Sequence, residues 1–360
     1  MMRIAIDAMG SDNAPYPEVR GALKASVSPD LQLILVGNET KLREALGKNV
    51  SRKNISIVHA SEVITMQDSP MVGVRKKKDA SLSVAMRLVK TGAADAMVSA
   101  GNTGAVMMAA RTILRPIQGV ARPPICQLLP TTTGTCLVLD LGANVDCTAR
   151  HLCDFAEMGV VYSTQVLGNV NPRVGLLNIG EEQAKGNDLS KTVHRILSAA
   201  PHVNFIGNVE PKAFFKGAAD IVVCDGFVGN VVLKTSEAAG SLVKTLLTRE
   251  LKSSVLSMIG AFLSRGAYKR LKRVIDPNEY PGAPLLGVNG IVIILHGACS
   301  AKGVANAIKG AQLAASHDII NLIRDGLHEV LVAEEALVQT SEASQEDAEA
   351  GSDAATAADH

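Results

Sequence analysis

The stretch Asp95–Arg111, DAMVSAGNTGAVMMAAR, sets six small positions, Ser99 to Gly104, between two apolar runs. None of the six can fill a core. Gly101 and Gly104 let the backbone approach a ligand closely, and Asn102 and Thr103 add side-chain donors. If an apolar strand precedes this turn and a helix follows, the first helical N–H groups point outward unpaired, at the positive end of the dipole. Ser99, Gly101, Asn102, Thr103 and Gly104 then form a cradle for a small anion, phosphate above all. The alternative is an ordinary strand-to-helix turn with Thr103 as its N-cap.

Further small-residue turns carry acids, amides and lysines: Asp7 and Asp12, Asn144, Glu181, Glu182 and Lys185, Asp225 and Asn230, and Lys234. Such a set suits holding an oxyanion and polarising a carbonyl without a covalent protein intermediate. The dinucleotide motif G-x-G-x-x-G, the nucleotide P-loop, the G-x-S-x-G elbow, H-E-x-x-H and zinc-spaced Cys/His clusters are all missing from the sequence, so neither a metal nor a cofactor is expected.

These turns need strands to carry them. Short, continuous apolar runs recur at Ile4–Ile6, Leu31–Val36, Ile55–Val58, Ala96–Ser99, Leu137–Leu139, Val174–Leu177, Val203–Phe205, Ile221–Val223 and Ile291–Leu295. They fit strands buried on both faces. Helix-period segments lie between them, among them Pro17–Ser26, Ser81–Thr91, Thr103–Leu114, Cys153–Leu167, Asn187–Ala199 and Leu242–Arg249. The alternation predicts an α/β chain, three layers α/β/α around a mainly parallel sheet, with ligands at the carboxyl ends of the strands.

The 360 residues, 47% hydrophobic, suffice for a large core. A formal net charge of +1 gives no reason to expect a nucleic-acid partner. Six scattered cysteines without C-x-x-C read as reduced thiols, hence a cytoplasmic protein. No signal peptide is expected at MMRIAIDAMG. One domain is expected over 1–338, and the acidic, small-residue segment 339–360 should be a disordered tail.

Residues 247–275 depart from the pattern. Arg249–Arg273 carries seven Lys/Arg against one Glu. Leu247, Leu251, Val255, Met258, Ile259 and Phe262 fall on one helical face, Gly266 breaks the helix, and a shorter one follows. A protruding amphipathic, cationic hairpin of this kind lies in the surface of an anionic membrane, with Leu251, Val255, Met258, Ile259 and Phe262 as contacts. The plainer alternative docks it on the core or on a second subunit. A second basic cluster, VRKKKDASL, could steer an acidic carrier protein or touch phosphate.

Nine blocks, in order from residue 4 to about 308, resemble the phosphate acyltransferases of bacterial phospholipid synthesis: IAIDAMGSDNAP, VRKKKDASL, SAGNTGA, DLGANVDC, FAEMG, GLLNIGEEQAKGN, GNVE, ADIVVCDGFVGNVVLKTSE and GAPLLGVNGIVIILHGACSAKGVANAI. The first departs from the family in MGSD, where MGGD is usual. The resemblance implies an acyl group passed from acyl carrier protein to inorganic phosphate. The acyl phosphate would feed a membrane glycerol-3-phosphate acyltransferase. It further implies a fold like isocitrate dehydrogenases and phosphotransacetylases, a homodimer, and peripheral membrane binding. On that chemistry Lys185 is a second phosphate contact or oxyanion stabiliser, and Asn144 and Asn230 are oxyanion donors. His296 either protonates the departing thiolate or orients its neighbours, and Asp225 orients Lys185 or His296. A Cys224 or Cys299 nucleophile is the competing mechanism. An isocitrate-type dehydrogenase, an acetyl-coenzyme A phosphotransacetylase and a noncatalytic carrier-binding scaffold are the competing functions.

Overall fold

A computed structural model describes residues 1–327; the segment 339–360 and the end of the expected domain at 338 lie outside them. The strands are β1 (Met2–Asp7), β2 (Leu31–Gly37), β3 (Ile55–His59), β4 (Ala96–Ser99), β5 (Cys126–Thr131), β6 (Gly134–Leu139), β7 (Val174–Leu177), β8 (Phe205–Val209), β9 (Ile221–Val223), β10 (Ala283–Leu285) and β11 (Ile291–Ile294). They form two sheets, ordered β10-β11-β4-β1-β2-β3 and β5-β6-β9-β7-β8. All pairs are parallel except β10 with β11 and β5 with β6.

The single sheet expected from the sequence is therefore two sheets. Their antiparallel edge strands meet at one bridge, Ile125 to Leu285. Pro130 and Pro284 sit in these two strands, and proline is tolerated at sheet edges because it cannot donate to a ladder.

The helices are α1 (Tyr16–Ala25), α2 (Glu39–Leu46), α3 (Pro70–Lys76), α4 (Ser81–Lys90), α5 (Thr103–Ala109), α6 (Ala149–Gln165), α7 (Asp188–Ala199), α8 (Pro211–Phe215), α9 (Gly226–Leu251), α10 (Val255–Leu263), α11 (Arg265–Ile275) and α12 (Ala301–Ser316). Strand side chains alternate between two cores. Ile4, Ile6, Leu137 and Leu139 pack with α1, α6, α7 and α12, while Ala5, Met97, Val138 and Val222 pack with α4 and α5. Burial on both faces explains the continuous apolar runs. The result is the α/β/α layering that the sequence predicts.

The cationic segment differs from its sequence reading in two ways. α9 already begins at Gly226, and the chain breaks at 252–254, where Ser254 caps α10 by accepting from Ser257 N–H at 3.1 Å. Leu247 and Leu251 therefore do not share a helix with Val255–Phe262. The second break falls at Ser264, and Gly266 lies inside α11. A serine that offers its hydroxyl to a helix start competes with helix continuation, and this outweighs the unbroken period. Neither α10 nor α11 has a buried residue.

Candidate functional site

The turns after β1, β4, β6 and β11 converge at the junction of the two sheets. Asp7, at the end of β1, is buried and accepts from Ser81 Oγ at 2.6 Å and Ser99 Oγ at 2.7 Å. Burial raises its carboxyl above the usual range, and these bonds, with Met9 N–H, oppose the rise. Ser99 Oγ also accepts from Gly101 N–H at 3.1 Å. A Cβ on Gly10 would stand 2.7 Å from Asp7 Oδ2 and 2.7 Å from Gly101 N, so only glycine lets the two turns touch. The turn after β1 is tied to the one after β11 by Asp12 N–H donating to Gly297 O at 2.9 Å.

The helix cap is Asn102 rather than Thr103. Its Oδ1 accepts from Ala105 N–H at 3.1 Å, and Nδ2 reaches the carbonyls of Thr65, Met66 and Asp68 at 3.3–3.4 Å. Of the five expected cradle residues, Ser99, Gly101 and Asn102 thus have their side-chain or backbone donors engaged in building the turn. Thr103 and Gly104 line an open cleft of about 550 Å³, and their N–H groups lie in the unpaired first turn of α5.

The same cleft is lined by Gly142, Asn230, Lys234, His296 and Cys299. Asn230 is exposed and lies against Gly142. Lys234 is paired with Glu237 at 2.8 Å. His296 Nδ1 accepts from Ala298 N–H at 3.1 Å, which leaves the ring proton on Nε2.

Three expected participants stand elsewhere. Asn144 Nδ2 donates to Pro123 O at 3.0 Å and Asp140 Oδ2 at 2.9 Å, so both of its hydrogens are in use. Asp225 caps α9 by accepting from Val228 N–H at 2.9 Å, and no hydrogen bond joins it to Lys185 or His296. Lys185 follows β7, folds its stem over Gly180, and is not among the residues lining the cleft. β9 separates β7 from β6 in the sheet, which carries that turn away. Both candidate cysteine nucleophiles are buried; burial pushes Cys299 up to about 12 and Cys224 well above a normal thiol. Neither is poised as a thiolate near neutral pH.

Asp140 escaped the sequence reading. It follows β6 as Asp7 ends β1, is fully buried, and accepts the N–H groups of Ile125 (3.0 Å), Ala143 (3.1 Å) and Asn144 (2.6 Å). Burial raises its carboxyl and these N–H groups oppose the rise. A Cβ on Gly229 would fall 1.9 Å from Asp140 O, so the start of α9 packs directly on this turn and brings Asn230 to the cleft. The motif DLGAN was the available signal.

The phosphotransacetylase of Streptococcus pyogenes shares the fold, with a TM-score of 0.60 at 19% identity over 88% of this chain and 94% of that one. A branched-chain phosphotransacylase from Enterococcus faecalis V583 gives 0.54 at 17% identity, over 88% and 100%. These two likenesses show a shared α/β fold. The chain belongs to the fatty acid synthesis protein family, whose model matches residues 2–322. The phosphate acyltransferase of Trichlorobacter lovleyi is 48% identical over 329 residues, 91% of this chain and 95% of its own. That of Heliobacterium modesticaldum is 49% identical over 327 residues, 90% and 97%. The resemblance carried by the nine sequence blocks is thus family membership. Among the described residues no helix is long and apolar enough to cross a membrane.

Proposed function

We propose that this chain transfers a fatty acyl group from the thioester of acyl carrier protein to inorganic phosphate, giving acyl phosphate and the free carrier thiol. The observation that carries the reading is one cleft joining the open first turn of α5, at Thr103 and Gly104, to Asn230, Lys234 and His296. Phosphate sits against the N–H groups of Thr103 and Gly104, with Lys234 rather than Lys185 as the nearby cation. A phosphate oxygen attacks the thioester carbon and the C–S bond breaks. His296 Nε2–H gives its proton to the departing sulfur and then takes up the proton that phosphate loses. Asn230 donates to the oxyanion. The rate gain comes mainly from holding two reactants together.

The product would pass to a membrane glycerol-3-phosphate acyltransferase for phosphatidic acid synthesis. A cytoplasmic enzyme that rests peripherally on the membrane suits that transfer. On α10, Val255, Met258, Ile259 and Phe262 are 50–71% exposed, and α11 follows with five Lys/Arg. That pairing supports an anionic membrane contact; Leu251 ends α9 and lies only at the margin of this face. Phe227 and Val231, exposed at the start of α9, support a homodimer.

Purified protein mixed with palmitoyl-acyl-carrier protein and phosphate should give a product that hydroxylamine traps as the hydroxamate, with release of the carrier thiol. Formation that does not depend on phosphate, or no hydroxamate with carrier protein still bound, would refute the reading; the second outcome would favour the scaffold.

A further inference from the structure

A second hollow, about 1010 Å³, opens directly from the cleft. Five lining residues are common to both: Gln127, Leu233, Glu237, Pro277 and Tyr280. Its floor is one face of α9, where Leu233, Ser236, Gly240 and Lys244 recur at three- and four-residue spacing. One wall is the β5–β6 hairpin with Leu128 and Leu129, and the other is the end of α11. There Leu271, Val274 and Ile275 are 52%, 46% and 49% exposed, apolar side chains that line the groove.

We propose that this groove holds the hydrocarbon chain of the acyl donor. The inference rests on the acyl-transfer reading and adds where the chain lies and what limits its length. Continuity with the cleft selects this occupant: a ligand whose carbonyl is near Thr103 and His296 can pass into the groove along Leu233, Pro277 and Tyr280, with Gln127 and Glu237 beside the passage. Length agrees. From Leu233 to Lys244 the helix rises about 16 Å. Carbon–carbon bonds of about 1.5 Å zigzag to roughly 1.3 Å per carbon, so about twelve carbons fit beyond Leu233. Lys244 marks the far end of the α9 face.

Gly240 provides the test. It lies on the groove face, roughly 10 Å beyond Leu233, and a Cβ there meets nothing within 4 Å. Glycine is a poor helix former in mid-helix, so a larger residue does not loosen α9. Gly240→Leu would close the groove after about eight carbons, and Gly240→Ala would narrow it slightly.

The experiment compares hexadecanoyl and octanoyl thioesters of acyl carrier protein in the wild type and both variants. Each methylene kept out of an apolar groove is worth roughly fourfold. The ratio of kcat/KM for the long chain over the short chain should fall at least tenfold in Gly240→Leu and less in Gly240→Ala. An unchanged ratio overturns the proposal. So does a change of oligomeric state in sedimentation, which would give the groove to a second copy of the chain. A fluorescent long-chain fatty acid is titrated in parallel. Weaker binding to Gly240→Leu supports the groove even if no thioester is turned over, and equal binding overturns it. Failure of the wild type with every thioester would count against the acyl-transfer reading alone.

Discussion

Glu18→Gln should remove a pH dependence of stability that the wild type carries near neutrality. Glu18 lies in the first turn of α1, 1% exposed, directly behind the Asp7 turn. Its Oε1 accepts from Ser11 N–H at 3.3 Å, and Oε2 has no partner among the described residues. Burial, with a smaller push from the Asp7 charge, raises the carboxyl from 4.5 to about 7. The folded protein therefore keeps a proton that the unfolded chain gives up. The Glu18 contribution to stability is full below pH 4.5, falls as pH rises through the window to about 7, and is lost above it. At about 1.4 kcal/mol per pH unit the loss is about 3 kcal/mol. Glutamine keeps the acceptor for Ser11 and cannot ionise. Urea unfolding of both proteins at pH 4.5 and 8 isolates the effect, since the other titrating groups are common to the two. The wild type should lose about 3 kcal/mol more than Glu18→Gln over that interval. Parallel pH profiles, or a variant that loses as much as the wild type, would refute the account of a buried, protonated Glu18.

Gly229→Ala, whose Cβ would overlap Asp140 O, should cost about 3 kcal/mol or more in urea unfolding, and a change within 0.5 kcal/mol (about the noise for a surface site) would contradict the packing. Asp7→Ala leaves the Ser81 and Ser99 hydroxyls without their shared acceptor in a buried site and should destabilise by about 2–4 kcal/mol in the same assay, with acyl transfer lowered as the turn loosens. Cys299→Ser should retain acyl transfer within about threefold in the hydroxamate assay; a loss of about a thousandfold would make the thiol a participant. Placing aspartates at Ile259 and Phe262 should weaken binding to anionic vesicles by about a hundredfold or more in a flotation assay, since two side chains leave the lipid surface.

The strands that the sequence disclosed are those buried on both faces. Ile4–Ile6, Ala96–Ser99 and Ile221–Val223 are uninterrupted apolar runs, and each became a parallel strand. β5 and β10 were hidden because each contains a proline and lies at an edge, where one side needs no ladder partner. Their antiparallel pairing divides the expected sheet into two. The candidate site was legible close after a strand end, as at Thr103, Asn230 and His296, which line one cleft. It was not legible where strand order decides. Lys185 and Asn144 both follow strands of the second sheet, yet β9 lies between those strands and removes Lys185 from the cleft. Asp140 was silent for another reason. Besides Asn144 Nδ2 it accepts backbone N–H groups, and only the motif DLGAN marks it in the sequence.

The strand order of the first sheet also bears on how the protein is made. β4 ends at Ser99, but β11, which pairs with it, begins at Ile291, after the whole second sheet. Translation at 5–20 residues per second leaves the β4 edge without its neighbour for roughly 10–40 s. During that time the N-terminal half presents a buried-type apolar strand as an open edge, the kind of surface that nascent chains use to aggregate. His296 arrives with β11, so one wall of the cleft is absent until residue 296 has been made. A ribosome-bound chain therefore has reason to engage a chaperone over residues 96–99, and it cannot yet assemble the cleft that would consume its substrate.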